Sequence, residues 1–411
     1  MVKVKHRDNL LFLLIALEVF VTMTPMMGYL LPPTIHIALW GIITLYIFIF
    51  KKSDYIKTQK DVLWSALAYI AVIFAYRLLG VSDAAWGNYL NQIMFFMPLI
   101  LTFVVYTHCD NIQCNTLLKI VLLIVALNIA DGIRITIENP SMTYMQLYSN
   151  DAEGAVSNLN VGNSDYMTMT LLYFNVALLA FFNTKKSFWK VVYLVFSIVS
   201  FYFILFVSLK ATIIIYVLLS LVLQYMARRS KRPGKFIFWA VFTSVILIVL
   251  MKPITYLLIN IIAEDRVSER LLNLVGDSMA NKEALTGRED VYMLSVETWL
   301  SGVTNFIFGI GDHRSAFDVA STGIGQHSSF LDTLARYGLL GVLILLGYFK
   351  NLFEWMSKVC DKRILIAFHT IVIIIIMCGV TKELFSPPCG MAINFLLPLC
   401  LISFSKTNTV L

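Results

Sequence analysis

Apolar blocks of about 17–22 residues recur along this chain, each long enough as a helix to cross a hydrocarbon layer roughly 30 Å thick. No other feature constrains the fold so tightly. A backbone in hydrocarbon must satisfy its own N–H and C=O groups, so blocks of this length read as transmembrane helices. The overall makeup agrees, with 59% hydrophobic and 14% charged residues in 411, against roughly 45–50% and about 25% in soluble chains. Soluble-enzyme, collagen-like and disordered readings are excluded.

The block lengths predict an all-α polytopic membrane protein of about twelve spans. They lie near 10–31, 34–50, 62–80, 89–107, 116–136, 166–182, 188–208, 210–227, 236–262, 328–349, 363–380 and 389–405. The ninth contains Lys252 and Pro253, so it kinks or ends early. This divides the chain into nine spans over 1–262, a long connection over 263–327, and three spans over 328–411. No repeat relates the two halves, which counts against transporter architectures built from repeats.

The net charge of +7 is spread over short loops rather than gathered on one face, so it points to membrane topology and not to nucleic acid. Lys51, Lys52, Lys57, Lys60, Lys185, Lys186, the run Arg228–Arg232 and the segment Lys350–Arg363 all fall on one side if the spans alternate. That side is expected to be the cytoplasm, with both termini inside. Lys3, Lys5 and Arg7 precede an apolar run too long for a signal-peptide core, so the first span is expected to be retained. The six cysteines form no CxxC pair and have no histidine at metal-ligand spacing. They read as free thiols, with a Cys378–Cys389 pairing as the alternative.

The connection Ala263–His327, about 65 residues, is far longer than the roughly 12–15 residues beyond which a structureless connection is unusual. Its acid-rich composition places it outside. Val267, Leu271, Leu274 and Val275 share one helical face, giving an amphipathic helix. Thr286-Gly287-Arg288-Glu289 has capping-box spacing and opens a second helix through Tyr292, Val296 and Trp299. Gly309-Ile310-Gly311 and Gly323-Ile324-Gly325 break the chain, as plain turns or as phosphate-binding turns.

Ionisable and polar groups within spans are costly and mark candidate sites. Arg77, Asn91, Gln92, Asp131, Arg134 and Lys210 lie toward outer span ends, and together they predict a polar chamber open to the outer face. Asp131 with Arg134, and Asp332 with Arg336, are spaced to pair along their helices. Ser329 and Asp332 have capping-box spacing, which puts His327 just before the start of span ten at the outer surface. There it is either a hydrogen-bonded structural residue or a neutral base, its imidazole kept unprotonated by the positive helix end. Arg288 reads either as a solvated loop arginine or as a phosphate clamp beside helix N–H groups.

Four stretches together resemble the O-antigen polymerase and ligase superfamily of Wzy-like membrane glycosyltransferases. They are Thr286–Tyr292 with Ile307–Gly311, then Gly325–Asp332, then Tyr337–Gly341. The resemblance covers about 55 residues closely and the remaining spans only in pattern. It implies a GT-C-like fold in a bacterial cytoplasmic membrane. The substrates would be polyprenyl-diphosphate-linked oligosaccharides, as donor and as acceptor, joined without metal or cofactor. The family's loop arginine falls on Arg288 and its histidine on His327. A further arginine of the family falls on Lys210, which keeps the charge but not the planar fork. Asn160 and Asn163 match an asparagine-bearing stretch loosely. Arg266, Arg134, Asp332 and Arg336 are supporting candidates. The run at His327–Asp332 is closer to the polymerases than to the ligases, and chain-length regulators and flippases are the implied protein partners. A lipid-linked oligosaccharide flippase or other transporter is the reading from a different class.

Overall fold

The computed structural model describes residues 9–23, 33–50, 56–82, 86–138, 164–208, 211–229, 236, 238, 239, 242, 256, 292–312, 328–360, 362–381 and 384–407. These are helical apart from short connections, and no strand occurs among them. Six of the helices are long and apolar enough to cross a membrane, and three shorter apolar helices accompany them. The protein is a helical, polytopic membrane protein.

In chain order the helices are α1 (Asn9–Met23), α2 (Pro33–Phe50), α3 (Ile56–Leu78), α4 (Trp86–Phe96), α5 (Pro98–His108) and α6 (Asn111–Glu138). Then come α7 (Ser164–Asn183), α8 (Ser187–Tyr202, extended by a π-helical turn over Phe203–Ser208), α9 (Ala211–Arg229) and α10 (292–300). The last are α11 (Val303–Phe308), α12 (Ser329–Val359), α13 (Lys362–Thr381), α14 (Pro387–Met391) and, after a π-helical turn over Ala392–Leu396, α15 (Leu397–Thr407). The ninth expected span, 236–262, lies almost wholly outside the described residues, as does the expected amphipathic helix at Val267–Val275.

Local sequence explains several boundaries. Asp110 and Gln113 cap α6 reciprocally: the Gln113 N–H donates to Asp110 Oδ1 at 2.7 Å and the Asp110 N–H to Gln113 Oε1 at 3.1 Å. Within the expected span 89–107 one ladder hydrogen bond is missing, because Pro98 has no N–H, but Met97 keeps helical dihedrals (φ −53°, ψ −38°) and Gln92–His108 runs on as one apolar helix. The interior of the bundle carries Glu18, Gln59, Gln92, Asn175, Gln224 and Asn394, all buried, while Leu13, Leu17, Leu67, Leu123, Ile198 and Leu343 face outward. That inversion suits a lipid surround, where outward leucines cost nothing and polar groups gather inside. Asn394 shows how such a group is used. Its Nδ2 donates to Phe95 O at 2.7 Å, and its Oδ1 accepts from the Tyr348 hydroxyl at 2.7 Å, tying α4, α12 and the π-helical turn together.

Span ten departs most from expectation. Gly338 has φ 62° and ψ −163°, and the chain reverses there. The Phe330 and Phe349 ring centroids are 6.2 Å apart, whereas 19 residues of straight helix would separate them by about 28 Å. The first arm of α12, residues 329–337, therefore folds back beside the second, residues 339–359. Of the two arms only the second, at about 30 Å, is long enough to cross a hydrocarbon layer. The first is a re-entrant segment whose backbone is buried in protein, the condition under which such breaks are tolerated within a membrane.

Candidate functional site

The reversal at Gly338 leaves carbonyls of the first arm without helical donors, and a second segment supplies them. Backbone N–H groups of Ile310 and Gly311 donate to Ala335 O at 2.9 Å and Arg336 O at 2.8 Å. The approach is so close that a Cβ on Gly309 would lie 2.4 Å from the Arg336 carbonyl carbon, and one on Gly338 would lie 2.3 Å from Ile307 O. Only glycine fits either place, and Gly309 also has φ 73°. The Gly309-Ile310-Gly311 run is thus a docking strap for a broken helix. The second glycine pair, Gly323 and Gly325, lies outside the described residues.

The strap delivers Asp312 into the bundle. This carboxylate is buried, with Oδ1 3.4 Å from Arg336 Nε and Oδ2 accepting from Gln92 Nε2 at 3.2 Å. Its backbone N–H donates to Ser82 Oγ at 2.7 Å, and the Tyr337 hydroxyl donates to Gln92 Oε1 at 3.4 Å. The expected i,i+4 pair between Asp332 and Arg336 is replaced by this one. The reversal turns Arg336 toward the strap, where an opposite charge meets it, while Asp332 finds partners of its own.

Those partners are backbone and hydroxyl groups from two directions. Asp332 Oδ1 accepts from Ser295 Oγ at 3.1 Å, and Oδ2 accepts from the Ser328 N–H at 3.1 Å. Ser328, rather than Ser329, is the N-cap of α12, its hydroxyl oxygen accepting from the Leu331 N–H at 3.2 Å. The expected capping box is therefore shifted by one residue toward the N-terminus. Ser329 is engaged elsewhere, accepting from the Leu384 N–H at 2.6 Å. Ser328 is fully buried, so the start of α12 is covered by protein.

Beside the first arm of α12 lies a small cavity lined by Tyr69, Gln92, Ser329, Asp332, Thr333, Arg336, Tyr337 and Phe385. It has room for about one water molecule and is too small for a sugar unit.

The end of α13 joins the pieces. The Ser328 hydroxyl donates to Gly379 O at 3.4 Å, and the Tyr292 hydroxyl donates to Thr381 O at 3.2 Å. Tyr216 and Thr381 share a hydroxyl–hydroxyl bond of 2.6 Å. Helices α9, α10 and α12 are thereby fastened to one another within about a turn of Gly379–Thr381.

His327, Arg288, Lys210 and Arg266 lie outside the described residues. Arg134 pairs with Asp131 at 2.9 Å, as their spacing predicts, on an exposed part of α6 away from the cavity lining. Arg77 donates to Ser82 O at 2.9 Å, next to the strap. Of the expected outer chamber, Gln92 and Arg77 come to this site; Asp131 and Arg134 do not. Asp312 is the residue that sequence reasoning missed. A charged residue directly after a Gly-x-Gly break was the available signal. The sequence matches no known family model and no curated protein.

Proposed function

We propose that the protein is a membrane glycosyltransferase, a polymerase that joins polyprenyl-diphosphate-linked oligosaccharides at the outer face of a bacterial cytoplasmic membrane. About twelve spans in a GT-C-like arrangement, with 263–327 extracytoplasmic, belong to the same proposal. One observation supports it above the others. Three candidate residues, far apart in sequence, each stand shortly before a helix fastened at the end of α13. Lys210 directly precedes α9, Arg288 stands four residues before Tyr292, and His327 directly precedes the Ser328 cap.

On this reading His327 takes the proton from an acceptor hydroxyl as its oxygen attacks the anomeric carbon of the donor sugar. The bond to the diphosphate oxygen breaks, and Arg288 with Lys210 stabilises the charge on the departing polyprenyl diphosphate. Asp332 and Arg336 hold the surrounding backbone. Transfer to a lipid acceptor, as in the ligases, would use the same groups.

The test is extension of lipid-linked oligosaccharide by purified protein. His327→Ala should lose about 10²–10⁴-fold in rate, and Arg288→Lys most of the activity, because charge without the planar fork is not enough. Wild-type rates from both His327→Ala and His327→Gln would end the proposal.

A transporter of lipid-linked oligosaccharide is the second reading, favoured by the reversal at Gly338, since broken helices recur in transporters. It requires that His327→Gln still move substrate between leaflets of a vesicle in the absence of any acceptor.

A further inference from the structure

At the opposite end of the bundle, basic side chains from three helices and one turn converge on a row of aromatic rings. Lys119 Nζ of α6 lies 3.9 Å from the centroid of the Trp189 ring of α8. Arg228 Cζ of α9 lies 3.0 Å over Phe182 of α7, and Lys190 Nζ of α8 lies 5.4 Å over Phe181. Phe181 and Phe182 close α7 and Phe188 and Trp189 open α8 on either side of the short connection 184–186, and the Lys190–Phe181 contact ties the two ring pairs together. Lys185 and Lys186 form the tight turn between α7 and α8, both exposed. Lys186 is close enough to Lys119 for the two charges to repel.

No ion pair to any of these five cations occurs among the described residues. Asp110, at the same end of α6, spends Oδ1 on capping that helix. A cation–π contact is worth about 0.5–1 kcal/mol at an exposed site and does not neutralise the charge. Five like charges gathered at one helix-bundle end therefore call for an anion. The rings fix the depth, because tryptophan and its neighbours sit at the headgroup level of a bilayer. Phe188, 70% exposed, projects at the same level and would enter the acyl boundary.

We propose that this cluster is a binding site for the phosphodiester headgroup of an anionic phospholipid. Lys119, Lys190 and Arg228 surround the phosphate, and Phe188 with Trp189 packs on the glycerol and upper acyl chain. By the charge bias of the loops this is the cytoplasmic leaflet. Basic pockets between transmembrane helices on that side suit acidic headgroups, and each cation near the surface is worth about a fivefold change in affinity. The site is independent of the glycosyltransferase reading.

The experiment uses the full-length protein, purified in neutral detergent and titrated with phosphatidylglycerol, phosphatidylcholine or inorganic phosphate. Bound lipid is counted by native mass spectrometry, and the unfolding midpoint is followed in parallel. Phosphatidylglycerol should bind saturably and raise the midpoint, and phosphatidylcholine should do neither. Inorganic phosphate should not displace the lipid. The triple variant Lys119→Gln, Lys190→Gln, Arg228→Gln should lose about fivefold in affinity per charge removed, while Lys119→Arg with Lys190→Arg keeps it. Removing two exposed charges at Lys350 and Lys358 is the control and should leave affinity unchanged. Equal binding of phosphatidylcholine, displacement by inorganic phosphate, or an equal loss in the control overturns the proposal. If the triple variant does not fold, Lys186→Glu alone, on an exposed turn, must weaken phosphatidylglycerol binding at least fivefold, and unchanged affinity refutes the site.

Discussion

Replacing Gly338 with alanine tests whether the reversal of α12 holds the strap in place. At φ 62° and ψ −163° the backbone is in a region open essentially to glycine alone, and a residue held there costs about 1–3 kcal/mol. The new methyl would also sit 2.3 Å from Ile307 O, so the strap must withdraw. Withdrawal gives up the Ile310 and Gly311 bonds to the first arm, at about 1 kcal/mol each. Those bonds are lost on opening in parent and variant alike, so the strain of about 1–3 kcal/mol on the closed state sets the change, and at 1.4 kcal/mol per decade the open state gains about fivefold to about a hundredfold. Hydrogen exchange of a peptide covering 307–312, read by mass spectrometry in detergent, reports that opening directly. Gly347→Ala in the same helix is the control, since a Cβ there meets nothing within 4 Å. Exchange in Gly338→Ala as slow as in the parent protein and the control would show that the strap does not depend on the reversal.

Arg336→Met leaves the Asp312 carboxylate buried without its cation, and loss of one partner of a buried pair costs about 3–5 kcal/mol; adding Asp312→Asn should recover much of it in thermal unfolding. Ser328→Ala removes the α12 cap and should lower stability by about 1 kcal/mol, with Ser328→Thr, which keeps the capping hydroxyl, recovering part of that loss in the same unfolding measurement. Extension of lipid-linked oligosaccharide should continue in excess EDTA, because fixed cations meet the diphosphate in the proposed reaction; loss of extension that a divalent ion restores would remove the clamp from the mechanism.

Much of the fold was legible because apolar block length measures a membrane directly. The helices at α1, α2, α3, α6, α7, α8, α9 and α13 fall close to the expected spans. The Asp131–Arg134 pair and the helix through Tyr292 and Trp299 are local features, set by spacing of three or four residues, and they hold. What sequence spacing misread is tertiary. Asp332 and Arg336 are four apart, yet each is engaged by a partner from beyond the helix, Ser295 in one case and Asp312 in the other. Gly338 reads as one more small residue in an apolar run, and nothing around it announces a reversal. The strap that makes the reversal favourable arrives from residues 309–312, and only the folded chain shows that the two glycine positions meet.

Asp332 allows the positioning role of the site to be separated from a chemical one. Its two oxygens accept from Ser295 and from the Ser328 N–H, so one side chain sets where α10 and the start of α12 stand relative to each other. Asparagine can satisfy both contacts: its oxygen accepts from the Ser328 N–H, and its NH₂ donates to the Ser295 hydroxyl, which turns to accept. Alanine satisfies neither and leaves a buried N–H without an acceptor, at about 1–3 kcal/mol. If Asp332 acts only by holding these segments, Asp332→Asn should keep most of the extension rate and Asp332→Ala should lose about five- to a hundredfold, the rate equivalent of that same penalty. A carboxylate that moves a proton or carries charge in the reaction would behave otherwise, because asparagine cannot replace it. Equal losses from Asp332→Asn and Asp332→Ala, in proteins unfolding at parental temperatures, would refute the positioning role and put Asp332 among the reacting groups.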